Sequence, residues 1–242
     1  MASPIGSLLW KEWREQRWKL GYGCGTLGAF TAIGLRARLL PDLGIVFLSG
    51  ALGAGIMSAL VAMGLVAAER DEGSLECLLA LPVRPAVVLI TKLAVGAAAC
   101  LAPLAVAAAV ACLMAGGREM TTGRILLAYF GCGEFALCAL VWFTAFGLRQ
   151  PTEAQAVLVA IIVFGVWYAI HIVFTELPYG WDEPGALTGM AHPFGFSVFL
   201  TSPDRSYSAG HAAALLAVQA AEAGLLLLWA LARFGRPGRA TT

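Results

Sequence analysis

Lysine appears only at Lys11, Lys19 and Lys92, and charged residues make up 13% of the 242 residues. With a formal net charge of +1 and no basic tract, nothing here suits a phosphate backbone, so nucleic acid is not an expected partner. No GxxxxGK[ST] segment occurs, which excludes a P-loop grip on a nucleotide triphosphate. Any ATP-driven work has to come from another polypeptide. A GxSxG elbow, an HExxH helix and histidines paired at i, i+4 are also missing, and His171, His192 and His211 are too scattered to read as a metal site. The chain is therefore not expected to be an enzyme. Cys24, Cys77, Cys100, Cys112, Cys132 and Cys138 include no CxxC pair, and five of them lie in apolar runs, so neither a disulfide framework nor a zinc site is expected. No metal or cofactor is expected on this chain.

What the sequence does have is apolar length. Hydrophobic residues reach 60% and the mean hydropathy is +0.80, where soluble domains sit near 45–50% apolar. Runs of about 20 apolar residues match a bilayer core of about 30 Å. Six are read: Leu20 to Leu35, short and glycine-rich, then Leu43 to Ala68, Val87 to Ala115, Ile125 to Leu148, Ala154 to Phe174 and Ala212 to Leu231. This predicts an all-α, polytopic membrane protein. Counting Lys and Arg in alternate loops puts eleven on the side of both termini and five (Arg36, Arg38, Arg118, Arg124 and Arg205) on the other. Both termini are then expected in the cytoplasm. The first residues, with Glu12 and Glu15 among their charges, are not expected to be a cleaved signal peptide.

Two segments outside the spans have character of their own. Residues 4–19 place Trp10 and Trp13 one helical turn apart, with Leu9 and Trp18 nearby, and read as an interfacial helix whose arginines reach the phosphates. Residues 175–211 form a long external segment broken by Pro178, Pro184, Pro193 and Pro203. Its apolar MAHPFGFSVFL is too short to cross, so a re-entrant or interfacial hairpin is expected before the last span. Within the spans, Glu134, His171, Gln219 and Glu222 are polar groups in lipid. Such groups usually face the protein interior or a wet cavity. Two readings stay open: a translocation path with a polar lining, or carboxyls that hold spans or subunits together.

The most informative stretch is ERDEGSLECLLALPVRPAVVLITK, Glu69 to Lys92, an island of charge between two spans. Four acids and one arginine fall between Glu69 and Glu76. A short helix with acids at one end and leucines on one face can seat in a groove of a soluble partner. Gly73 permits a bend after the span and Pro82 ends the helix.

These residues resemble the permease subunits of type-2 ABC exporters. In that family the loop between the second and third spans runs acidic-x-x-x-Gly-Thr, a leucine-rich stretch, Pro, an aliphatic residue and Ser or Arg, then a lysine about ten residues on. The matching positions are Glu69, Gly73, Ser74, Leu75, Leu78, Leu79, Pro82, Val83, Arg84 and Lys92, with Ser74 in place of threonine and Pro85 as a departure after Arg84. The resemblance implies one permease domain over 1–242, with an interfacial helix at 4–19, a cytoplasmic coupling loop at 69–86 and an external loop at 175–211. It implies that Glu69, Arg70, Glu72, Gly73, Ser74, Glu76, Leu79, Pro82 and Arg84 meet a separate ATP-binding-cassette ATPase, which carries the ATP and Mg. It further implies a second permease copy, surrounding membrane lipid, residence in the cell membrane, and ATP-driven export. A non-transporting anchor or assembly component that binds an ATPase is the alternative, and an intramembrane enzyme a more distant one.

Overall fold

A computed structural model describes residues 4–38, 40–80, 83–115, 120–150, 152–176 and 209–234. Pro82 and most of the expected external hairpin lie outside the described residues, as do the side chains of Glu76, Leu79 and His171. Among the described residues there is helix and no strand. The order is α1 (Pro4–Ala37), α2 (Asp42–Ala62), a π-helical turn (Met63–Ala67), α3 (Ala68–Asp71), α4 (Ser74–Leu79), α5 (Pro85–Ala115), α6 (Thr122–Gly147), α7 (Glu153–Glu176) and α8 (Ala209–Arg233).

Four stretches are long and apolar enough to cross a bilayer: Asp42–Arg70, Pro85–Ala115, Thr122–Gly147 and Ala213–Arg233. The first of these runs unbroken through α2, the π turn and α3. α7 has the length, at 24 residues, but its described apolar part is Ala154–Trp167. α1 is longer still, but its apolar second half carries Gly21, Gly23, Gly25, Gly28 and Gly34 and falls short of the same measure. Four of the six expected spans therefore meet the measure among the described residues.

The opening of the chain differs from expectation. Instead of an interfacial helix and then a separate span, α1 is one rod of 34 residues, about 51 Å long. The change of composition near Leu20 contains no proline and breaks no backbone hydrogen bonding, so the helix continues through it. One face runs Leu8, Glu12, Gln16, Thr31 and Leu35, all buried, and α1 packs along α5 more extensively than along any other helix. Trp10, Trp13 and Trp18 stay on the outer face, the last of them 75% exposed. α1 ends at Arg38, whose positive φ of 51° turns the chain while its N–H bonds Gly34 O at 3.1 Å.

Helix pairing is reinforced by hydrogen bonds suited to a medium without water. Ser58 Oγ donates to Ala54 O at 2.6 Å and lies 2.8 Å from Ala136 O, tying α2 to α6. Ser49 Oγ and the Tyr129 hydroxyl, 2.8 Å apart, repeat the tie nearer the start of both helices. Phe135, Trp142, Phe143 and Trp167 form an aromatic seam between α6 and α7, with Trp142 and Trp167 edge-on at 5.1 Å. Ile56, Leu113, Phe130, Ile161 and Leu225 point outward, as lipid-facing residues should.

The alternating chain direction brings the charged ends together. Arg70 meets the end of α6, Arg149 and Arg233 meet over α8, and Lys11 and Lys92 meet at Glu69. Counting basic residues in alternate loops assigns all of these to one side of the membrane, and they share one end of the structure.

Candidate functional site at the charged loop

The first two residues of the loop anchor it to the bundle. Glu69 is 4% exposed and points inward. Arg70 Nη1 donates to Leu148 O at 2.8 Å and to Gln150 O at 3.1 Å, which satisfies carbonyls left open where α6 stops. The chain then turns at Gly73, whose φ of +72° is open to glycine and strained for other residues. Its N–H bonds Arg70 O at 3.1 Å, and Ser74 Oγ donates to Glu69 O at 3.3 Å. α4 is only six residues long. Leu75 and Leu78, one turn apart, are buried beneath it, so the leucine face expected to seat in a partner is turned into this chain. Among the described residues, the surface it leaves is made by Glu72, Gly73, Cys77, Ala80 and Arg84, all exposed. Pro85, the departure from the loop pattern, is the first residue of α5, where its missing N–H would have had no helical partner.

Glu69 belongs to a buried ionic cluster. Lys92 Nζ, with its side chain fully buried in α5, donates to Glu12 Oε1 at 2.7 Å and lies 2.8 Å from Glu69 Oε1. Lys11 pairs with the same Glu69 oxygen, reaches Glu15 at 3.3 Å, and lies 3.8 Å from Glu12. Three carboxylates thus close on two ammonium groups from α1, α3 and α5. Burial pushes the Glu12 carboxyl above its ordinary range, with Lys92 pulling the other way. Burial works against the Lys11 charge, but the hydrogen bond and charge of Glu69, with Glu15 and Glu12, outweigh it and hold its pKa above the usual value. The oxygens of Glu12, Glu15 and Glu69 are close enough together to bind a cation, but the two ammonium groups already supply the positive charge between them.

Directly behind the cluster lies the π turn. A π-helical insertion rotates the next turns of a helix relative to the preceding ones and recurs at functional sites. Lys19 Nζ donates to Leu60 O at 3.1 Å, and a Cβ at Gly64 would collide with that same ammonium group. Glycine here lets the base of α1 lie against the turn that aims Glu69.

A family model for the ABC-2 family transporter protein matches residues 23–235. The chain belongs to that family. It is a multi-pass membrane component of an ABC transporter. No curated protein matches the chain. The match takes in the whole charged loop and Lys92, and begins after the tryptophan-bearing start of α1. Glu12 therefore lies outside the matched residues, while its partner Lys92 lies inside them.

The permease's intramembrane polar residues form a separate group. Glu134 Oε1 accepts from Cys138 Sγ at 3.1 Å, one turn along α6, and its second oxygen is buried with no hydrogen-bond partner among the described residues. Glu222 of α8 lies in electrostatic range of Cys138, and Gln219, one turn earlier, is buried. Glu134 and Glu222 are thus brought to the α6–α8 contact; the His171 side chain is outside the described residues.

The charged loop is visible in the sequence, but its anchor of Lys11, Glu12 and Lys92 emerges only in the structure. A signal exists all the same. Lys92 lies seven residues inside an apolar helix, where a charge needs a counter-ion, and Glu12 falls on the Leu8–Gln16 face at a spacing of four.

Proposed function

We propose that this permease forms the translocation path of an ATP-driven exporter and couples to a separate ATPase through Glu72, Gly73, Cys77 and Arg84. The observation that carries the reading is the division of the loop. Glu69 and Arg70 are locked into the membrane bundle, while Glu72, Cys77 and Arg84 are exposed around a glycine bend. A partner gripping the exposed turn would pull on α3 and, through Glu69 and Lys92, on α1 and α5 together. The buried ions are then the connection that carries a rigid-body movement of the ATPase into the spans. We place both termini and this loop in the cytoplasm, count α1 and α7 as spans to reach six, and expect two permease copies with two ATPases in the cell membrane. ATP and Mg belong to the partner.

Co-expression with an ATPase bearing Walker motifs tests the reading: the tagged permease should retain it through purification, and ATP hydrolysis should respond to substrate. A permease that purifies without any such subunit from cells that contain it would contradict the proposal. Sidedness is checked with the exposed Cys77. In a variant that keeps only this cysteine, a membrane-impermeant thiol reagent should label inverted vesicles and spare intact cells. Labelling of intact cells would reverse the orientation.

Glu134 separates two roles for the α6–α8 group. Glu134→Gln preserves shape and the contact with Cys138. Normal assembly with transport reduced at least about ten-fold, equivalent to about 1.4 kcal/mol, is the expected outcome for an acid in the path. Full transport by Glu134→Ala would remove it from the path altogether.

A further inference from the structure

We infer that the end of α6 and the end of α8 form a binding site for the phosphate headgroup of an anionic lipid, built from Arg149, Arg233 and Trp229. The Arg149 guanidinium carbon lies 4.9 Å from the Trp229 ring centroid, and that of Arg233 lies 5.9 Å from the same centroid. The two charges are thus no more than about 11 Å apart, close to the screening length of ~8–10 Å in physiological salt. Arg70 adds a third positive charge, since its guanidinium bonds the carbonyls on both sides of Arg149. None of the three is ion-paired with a carboxylate among the described side chains, although the acids of the neighbouring cluster are all engaged by lysines. Like charges gathered in this way repel, and an anion between them would relieve the repulsion.

The position selects the anion. Arg149 comes just after the last turn of α6 and Arg233 is the last residue of α8, so the group sits where two spans leave the apolar core. Tryptophan at that level keeps its ring in the headgroup region, and basic groups between spans are a recurring lipid-headgroup site. Both arginines are exposed and Trp229 is half-buried, so a lipid can approach from the side without disturbing the helix contact. The planar guanidinium groups stack on the indole while leaving N–H donors for phosphate oxygens.

The test is native mass spectrometry of the full-length permease extracted from membranes that contain phosphatidylglycerol and phosphatidylcholine. The parent should retain phosphatidylglycerol selectively. R149Q/R233Q should lower that retention about thirty-fold, the effect of two charges near an anionic surface. R149K/R233K, which keeps the charge and loses the stacking geometry, should fall between them. R36Q/R38Q, exposed at the opposite end, should match the parent. Thermal unfolding in detergent, unchanged across the four proteins, separates lipid loss from misfolding. Equal retention by R149Q/R233Q, or equal loss by R36Q/R38Q, would overturn the site. Displacement of the lipid by free inorganic phosphate would also overturn it, by showing a site for soluble anions.

Discussion

Lys92→Met should be the most damaging single conservative substitution in this permease. Methionine matches the length of the lysine stem, so the change removes charge with little change in packing volume. It leaves Glu12 and Glu69 buried with Lys11 as the ammonium group still paired with them among the described residues. Removing one partner of a buried ion pair typically costs about 3–5 kcal/mol, because the other partner stays desolvated and uncompensated. The expected result is a chain that inserts poorly and melts far below the parent in detergent, by size-exclusion profile and thermal unfolding. Lys92→Met with Glu12→Gln should recover most of that loss, since Glu69 keeps Lys11 and no surplus buried carboxylate remains. If the single variant melts with the parent, Lys92 is not paired as described. If the double variant is worse than the single one, the Glu12 contact is not the one that matters.

The same cluster shows where the sequence could be read and where it could not. Apolar runs mark most of the helices, because a span must satisfy its backbone internally and needs no knowledge of its neighbours. Counting basic residues in alternate loops also groups Arg70, Lys92, Arg149 and Arg233 correctly at one end. Pairing is different. Glu12 and Lys92 are 80 positions apart, and which acid a buried lysine meets depends on how α1 lies along α5. Reading 4–19 as an interfacial helix gives Glu12 no named partner, so the partnership stays hidden. The leucines of α4 mislead for a similar reason. An apolar face looks the same in sequence whether it is turned toward a partner or toward its own chain. Glu69 carries the clearest match to the loop pattern, yet it is buried, and Glu72 is the first exposed residue among the loop side chains described. The π turn has no sequence signal beyond Gly64.

Charge reversal along the loop should therefore split into two outcomes within three residues. Glu69→Lys places a third ammonium group in the buried cluster and should prevent the permease from accumulating at all. Glu72→Lys acts on an exposed side chain, so insertion and melting should match the parent. If Glu72 faces the ATPase, truncating or reversing a charge that becomes desolvated on docking costs about 2–5 kcal/mol. Binding of the ATPase by pull-down should then weaken at least ten-fold, a change of about 1.4 kcal/mol. Gly73→Pro should behave in a third way. Proline fixes φ near −65° where the chain needs +72°, and removes the N–H that bonds Arg70 O. The exposed turn would be re-aimed while Glu69 and Arg70 hold its root, so the ATPase still binds through the remaining surface but hydrolysis no longer drives transport. Arg36→Glu, at the opposite end, serves as the control for a charge change on an exposed surface. Should Glu72→Lys bind the ATPase like the parent while Arg36→Glu weakens it, the docking face is at the other end of the molecule. If Gly73→Pro transports normally, movement does not pass through this bend, and the buried ions hold the bundle together without transmitting anything.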